Sequence, residues 1–270
     1  MPPGEFDSWI LTIGNEILIG RIVNTNASWL ASRLTLLGFR VARIITVPDD
    51  VADIAEEVGR AVARARVVVT TGGLGPTYDD VTLEGVARAL GRRLTVNDRA
   101  LDMVRRFYEA RGLELTEERV KMAMLPEGAE AIPNPVGAAP GSIIDHGGAL
   151  VISLPGVPSE MKEMFTRYVE PRLREIAPNV ALVECYARVI GVPESGLAPV
   201  VKRAARSREG VYLKTHPKGH ELEGPVIEVR ALASAGSVEE ARAKALEVVR
   251  EVVSYAREQG GRVGEEGCTG

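Results

Sequence analysis

Histidine, cysteine and glutamine are nearly missing from this chain of 270 residues, which has three, two and one of them, and aromatic side chains make up only 4%. Cys185 and Cys268 belong to no CxxC pair and have no zinc-type spacing, so a thiolate metal centre is excluded. Two cysteines in a chain this long imply no disulfide framework, and both read as ordinary thiols. His216 and His220 stand in HPKGH, where Pro217 and Gly219 break any helix that would align the two rings on a metal. From about Ala177 onward there is no GxxG between helices and no aromatic stacking pair, and the net charge of the chain is −4, so the nucleic-acid uses of a small sheet domain find little support and no general attraction to nucleic acid is expected. No apolar run approaches the length that crosses a bilayer, which predicts no membrane segment. The start, MPPGEFDSW, lacks the basic-then-apolar order of a secretory signal, and a cytoplasmic location is expected. Abundant arginine beside the lone Gln259 leans towards a thermophilic source.

What is present is a globular composition, 45% hydrophobic and 26% charged. The length suits a larger domain over 1–175 and a smaller one over 176–270. The first part alternates two periodicities. Trp9 to Ile13, Val41 to Val47 and the Val67 run read as strands. Ala27, Leu30, Ala31, Leu34 and Leu37 recur at helical spacing, starting near Asn24 or Thr25 and stopping at Gly38. Ile54, Val58, Ala61 and Val62 give a second helix its inner face, and Thr82 to Leu90 a third. The order β-α-β-α-β-α predicts an α/β fold, a mainly parallel sheet with helices on both faces. Asn97 to Ala110 and Glu117 to Met124 read as helices, and Ser142 to Ile144 with Ala149 to Ser153 as a hairpin around His146-Gly147-Gly148. From about Ala177 the series β-α-β-β-α predicts a small α+β domain, with GRVGEEGCTG as a frayed C-terminal tail.

The most informative stretch is TTGGLGPTYDDVT, Thr70 to Thr82, which follows the strand-like Val67-Val68-Val69. Gly72, Gly73 and Gly75 permit positive φ and a close ligand approach. Successive N–H groups of such a loop, with the start of the helix at Thr82, form an anion-binding concavity. Asp79 and Asp80 would repel an anion unless a cation sits between, which points to chemistry rather than simple anion capture. In a parallel sheet ligands sit beyond the carboxyl ends of the strands. There the loops Gly14-Asn15-Glu16 and Pro48-Asp49-Asp50 join the glycine loop, so Glu16, Asp49, Asp50, Asp79 and Asp80 are expected to share one crevice. Helix capping is the competing role for Asp49 or Asp50. A rigid loop from Pro133 to Gly141 and a second strand-to-helix turn, LPGVPSEM, complete the set. There Gly156 permits close approach and Ser159 offers a hydroxyl and an N–H, or serves as a cap.

Together GNEILIGRIVNTNASWLASRL, VPDD, TTGGLGPTYDDVT, NPVGAAPG and LPGVPSEM resemble the N-terminal region of the CinA, or competence-damage-inducible, family, which belongs with the MoaB/MogA-type molybdopterin-binding domains. The resemblance covers Trp9 to Arg172 and continues more weakly into the small second domain of CinA. No counterpart of the C-terminal nicotinamide-nucleotide deamidase domain of many CinA proteins is expected, so deamidase activity is not implied. The resemblance implies metal-dependent hydrolysis of the pyrophosphate of ADP-ribose or a related dinucleotide to AMP and a sugar phosphate. The alternatives are molybdopterin binding or adenylylation in molybdenum cofactor synthesis, and a non-catalytic nucleotide-binding protein. The CinA-like GPTYDD and LPGVPSEM wording favours the pyrophosphatase, and Leu74, standing where molybdopterin enzymes usually have a threonine, counts against the molybdopterin alternative.

On this reading Asp49 and Asp80 are catalytic, and Asp49, Asp79 and Asp80 hold a divalent metal ion, magnesium or similar. Substrate contacts come from Gly72, Gly73, Gly75 and Thr77 of the glycine loop, from Gly14, from Asn134 and Gly137 of the proline-rich loop, and from Gly156 and Ser159. The partner is a small-molecule nucleotide substrate, with no nucleic acid and no membrane, and relatives imply a homo-oligomer, dimer or trimer.

Overall fold

The structure is a computed structural model that describes residues 4–208, 210–218 and 224–269. It divides into two units: one runs to Ala177, and the other begins at Pro178 and also claims Leu36–Gly38.

The first unit opens with β1 (Gly4–Ile13), the four-residue α1 (Asn15–Leu18), α2 (Thr25–Leu36), β2 (Arg40–Val47), α3 (Val51–Val62), β3 (Ala65–Thr71) and α4 (Thr82–Ala89). It continues with β4 (Leu94–Val96), α5 (Asp98–Glu109), α6 (Glu117–Lys121), β5 (Met124–Pro126), β6 (Glu130–Ile132), β7 (Gly141–His146) and β8 (Ala149–Leu154). Last come α7 (Pro158–Met164), a π-helical stretch over Phe165–Val169 and α8 (Glu170–Arg174). Six strands form one sheet in the order β2-β1-β3-β8-β7-β6. The first four are mutually parallel, and β7 and β6 follow antiparallel. The α/β fold with a mainly parallel, helix-flanked sheet thus follows the alternation read from the sequence.

The physical cause is visible in burial. The last six residues of β1 and all six of β8 are buried, as central strands of a parallel sheet covered on both faces require. Trp9, Leu11 and Ile13 of β1 pack with Ile54, Val58 and Ala61 of α3 in one core, and the intervening Ile10 is equally buried on the opposite face. Gly147 and Gly148, both at positive φ, make the two-residue turn between β7 and β8.

Two details differ from the sequence expectation here. The helix expected over Glu117 to Met124 ends at Lys121, because Met122 and Ala123 close tight turns onto Arg119 and Val120 and the chain then extends into β5. β5 pairs antiparallel with β4 as a separate small ribbon.

The second unit contains β9 (Ala181–Ile190), α9 (Glu194–Ser207), β10 (Val211–Pro217), β11 (Val226–Ala235), α10 (Val238–Glu258) and β12 (Arg262–Thr269). Its sheet runs β10-β11-β9-β12 and is antiparallel throughout. Alternate residues Val183, Cys185, Ala187 and Val189 of β9 meet Ala241, Ala245, Val248 and Val252 of α10 in a second core. This is the split βαβ arrangement of ferredoxin-like folds.

The expectation of a frayed tail is therefore corrected, since β12 is the fourth strand. It escaped the sequence pattern because it is an edge strand with mostly exposed side chains and a bulge between Val263 and Glu266. The reading of both cysteines as free thiols is corrected as well. Cys268 of β12 lies directly opposite Cys185 of β9, and the two form a disulfide across 83 residues of chain. His216 ends up exposed on β10, while Gly219 and His220 lie outside the described residues. No helix among the described residues is long and apolar enough to cross a membrane.

Candidate functional site

At the carboxyl ends of β2, β1, β3 and β8 the loops that follow the strands enclose a cavity of about 610 Å³. Each loop is fixed from below. Gly14 donates its N–H to Val47 O, and Gly72 donates to Leu154 O at 3.0 Å, which ties the glycine loop to the strand beside it. Asn26, buried at the start of α2, donates from Nδ2 to Thr71 Oγ1 at 3.1 Å and to Gly156 O at 2.8 Å. The Thr71 hydroxyl donates onward to Pro155 O at 2.8 Å.

The glycines are required by this closeness. Gly72 has φ 107°, and a Cβ there would stand 2.2 Å from the carbonyl oxygen of Ile13. Gly73 has φ 63°, and a Cβ would stand 2.3 Å from Thr82 Oγ1. Gly156 lies against Gly72, its ideal Cβ 3.3 Å from Gly72 Cα. The anion cradle expected of the whole loop is narrowed by these contacts, since the Gly72 N–H is already used by Leu154 and that glycine serves close packing instead. Thr82 does not cap α4 either; its hydroxyl donates to Gly72 O at 2.8 Å and pins the loop.

The carboxylates divide sharply by role. Asp50 caps α3, accepting from the N–H groups of Ala52 and Asp53, whereas its neighbour Asp49 faces the cavity and accepts from Asn15 N at 2.7 Å. Thr77 donates its N–H to Asp80 Oδ2 at 2.8 Å, and its hydroxyl lies 2.5 Å from an oxygen of both Asp79 and Asp80. One hydroxyl proton cannot serve both, so the two carboxylates crowd a single donor.

Burial pushes the Asp49 carboxyl above its usual range, the Asn15 N–H opposes this, and the charges of Glu16, Asp79 and Asp80 push it further up. Asp79 is held below the usual range, first by the Thr77 hydroxyl. A carboxyl with a raised native pKa stabilises the fold below its unfolded pKa and loses that contribution as pH rises through the native value. Asp49→Asn is therefore expected to melt at a higher temperature than the parent protein at pH 7 in the presence of EDTA, with the gain shrinking towards pH 4. Thermal melts across that range check this.

Among the described residues five carboxylates line the cavity, those of Glu16, Asp49, Asp79, Asp80 and Glu160, and no Lys, Arg or His does. Among the described residues no three His, Cys, Asp or Glu groups converge to form a ready metal cage. The donors nevertheless suit a hard cation of the magnesium kind, which takes one or two carboxylates and completes its shell with water and phosphate oxygens. Asp49, with Asp79 or Asp80, could supply those carboxylates.

Residues 9–175 match the family model described as "Probable molybdopterin binding domain". The chain belongs to this family. A protein of Aeropyrum pernix is 62% identical over 96% of this chain and 97% of its own length, and one of Pyrobaculum aerophilum is 53% identical over 87% and 89%. Among solved structures, a CinA protein of unknown function from Thermoplasma acidophilum matches at 43% identity with a TM-score of 0.59, covering 62% of this chain and 98% of that one.

The other substrate contacts expected from the sequence fall unevenly around the cavity of this molybdopterin-binding-type domain. Gly14, Gly72, Gly73, Gly75, Thr77 and Gly156 line it. Ser159 does not: it is exposed on α7, whose N-cap is Val157, and it neither caps nor faces the cavity. Asn134 and Gly137 do not line it either. Asn134 instead organises its own loop, accepting from Val136 N and Gly137 N and donating to Ala139 O and, at 2.7 Å, to Glu160 Oε2. Gly137 leaves room for the same carboxylate, since a Cβ there would meet the Glu160 carboxyl carbon at 2.3 Å.

Glu160 is thus a cavity residue that sequence reasoning missed, and its signal was an acid in the first turn of a helix after a parallel strand. Tyr108 and Met122, from α5 and the turn after α6, add an apolar wall that no motif announced.

Proposed function

We propose that the cavity binds a phosphorylated ligand, molybdopterin or a nucleotide, together with a divalent cation that the carboxylates receive. The observation that carries this reading is that, among the described residues, the charged side chains lining the cavity are all carboxylates, set beside a glycine loop at the ends of parallel strands. A bare phosphate would be repelled there, and a cation-bridged one attracted. The family description supports molybdopterin as the ligand class. The test is a calorimetric titration of the full chain with molybdopterin and, separately, with ADP-ribose. Binding in magnesium and none in EDTA is expected; equal binding in both would defeat the reading.

A second reading, metal-dependent hydrolysis of a dinucleotide pyrophosphate, is favoured by one specific feature: Asp49 faces the same cavity that Asp79 and Asp80 line. A bound divalent cation supplies charge neutralisation at the phosphates. Asp49 would accept the proton of a water whose oxygen bonds to phosphorus as the anhydride P–O bond breaks, leaving AMP and ribose 5-phosphate from ADP-ribose. Buried Leu74, lacking a hydroxyl, agrees with a site that does not hydrogen-bond at that position. Metal-dependent release of those two products decides between catalysis and binding alone.

A further inference from the structure

Lys121 is the last residue of α6 and does not line the cavity, yet its Nζ donates to the carbonyl oxygen of Thr77, 44 residues away in sequence. Thr77 is the node of the acidic loop. Its N–H goes to Asp80 and its hydroxyl to the Asp79 and Asp80 pair, so whatever orients its peptide groups orients both carboxylates. The loop needs such a brace. Thr77, Tyr78 and Asp79 are exposed, and Asp79 and Asp80 line the same cavity as Asp49 and repel its charge, so like charges drive the loop outward. Lys121 opposes that displacement. Its ammonium holds the Thr77 carbonyl, and its charge acts favourably on Asp79. The next residue, Met122, is buried in the cavity wall and anchors the lysine's backbone.

We propose that Lys121 is a positioning residue of this site: it holds the Thr77 peptide so that Asp79 and Asp80 present their oxygens to the cation that accompanies the ligand. This rests on the cation-assisted reading above. Groups behind a metal's own ligands commonly change affinity or activity by about 10–100-fold when removed. Lys121→Met keeps the unbranched stem and removes the donor and the charge; Lys121→Arg restores both.

Two readouts on the full chain separate the proposal from the reading it rests on. The first needs no ligand. Amide hydrogen exchange at Thr77 to Asp80 is expected to accelerate about 10-fold or more in Lys121→Met, with an unchanged melting temperature, and to return in Lys121→Arg. The second is manganese titration with ADP-ribose present, where Lys121→Met is expected to weaken manganese affinity by at least about 10-fold and Lys121→Arg to recover it. Exchange unchanged in Lys121→Met, or a loss of affinity that arginine does not rescue, overturns the proposal. A parent protein that binds no manganese even with ligand overturns the cation reading, and with it the role of Lys121 in presenting the carboxylates to a cation, while the exchange result still reports whether Lys121 sets the loop.

Discussion

Asp80→Asn is expected to lower magnesium-dependent ligand binding, and any hydrolysis, by about 100-fold or more, a loss comparable to removing one preorganised charge-stabilising group from an active site. The fold should scarcely notice. Asparagine Oδ1 can take the Thr77 N–H that Asp80 Oδ2 accepts now, and it is the same size beside Gly75, whose missing Cβ leaves the room, since a Cβ there would stand 2.6 Å from Asp80 Oδ2. A half-buried, isosteric exchange of this kind changes stability by about 0.5 kcal/mol or less. The separation of the two effects is the point: a large loss of binding with an unchanged melting temperature assigns Asp80 to the ligand, and unchanged binding at saturating magnesium removes it from the site. Titration and melting of the same preparation give both numbers.

The disulfide carries the largest expected effect on stability. Cys185 and Cys268 close a loop of 83 residues, which by the chain-entropy account stabilises the native state by about 3–4.7 kcal/mol. In a unit of this size each kcal/mol moves the melting temperature by about 4–8 °C, so reduction should lower the second unit's transition by roughly 15–30 °C. β12 has few other anchors, since most of its side chains are exposed and its pairing with β9 is interrupted by the bulge. Calorimetric scans with and without reductant, with thiol alkylation to verify reduction, measure the shift. Cys268→Ser should reproduce it without reductant. A transition that stays in place after verified reduction contradicts the account.

What could be read from the sequence followed the strength of local pattern. β1, β3, α2 and α3 have unbroken apolar runs or helical spacing because each is buried against the same sheet, and the site's position at the strand ends came with them. β12 was illegible because an edge strand needs no buried alternation, and β4, β5 and β6 because three residues carry no period. The pair Asp49-Asp50 shows the limit within a motif. Either residue can cap a helix, and only the chain's path after Val47 decides that Asp50 caps and Asp49 faces the cavity. Glu160 and Lys121 were hidden for a different reason: each acts through a partner far away in sequence, Asn134 for one and Thr77 for the other. Ser159 stands where a cap is expected, but Pro158 has already begun the helix and the cap position falls to Val157.

The central claim, a phosphorylated ligand held through a cation, is tested most directly by a crystal of the full chain grown with manganese and ADP-ribose and measured for anomalous scattering. The account predicts a manganese peak bonded to carboxylate oxygen of Asp49, Asp79 or Asp80 and to a ligand phosphate lying against the glycine loop. Phosphate bound to that loop without manganese, or ligand and metal both seated away from these carboxylates, would contradict it.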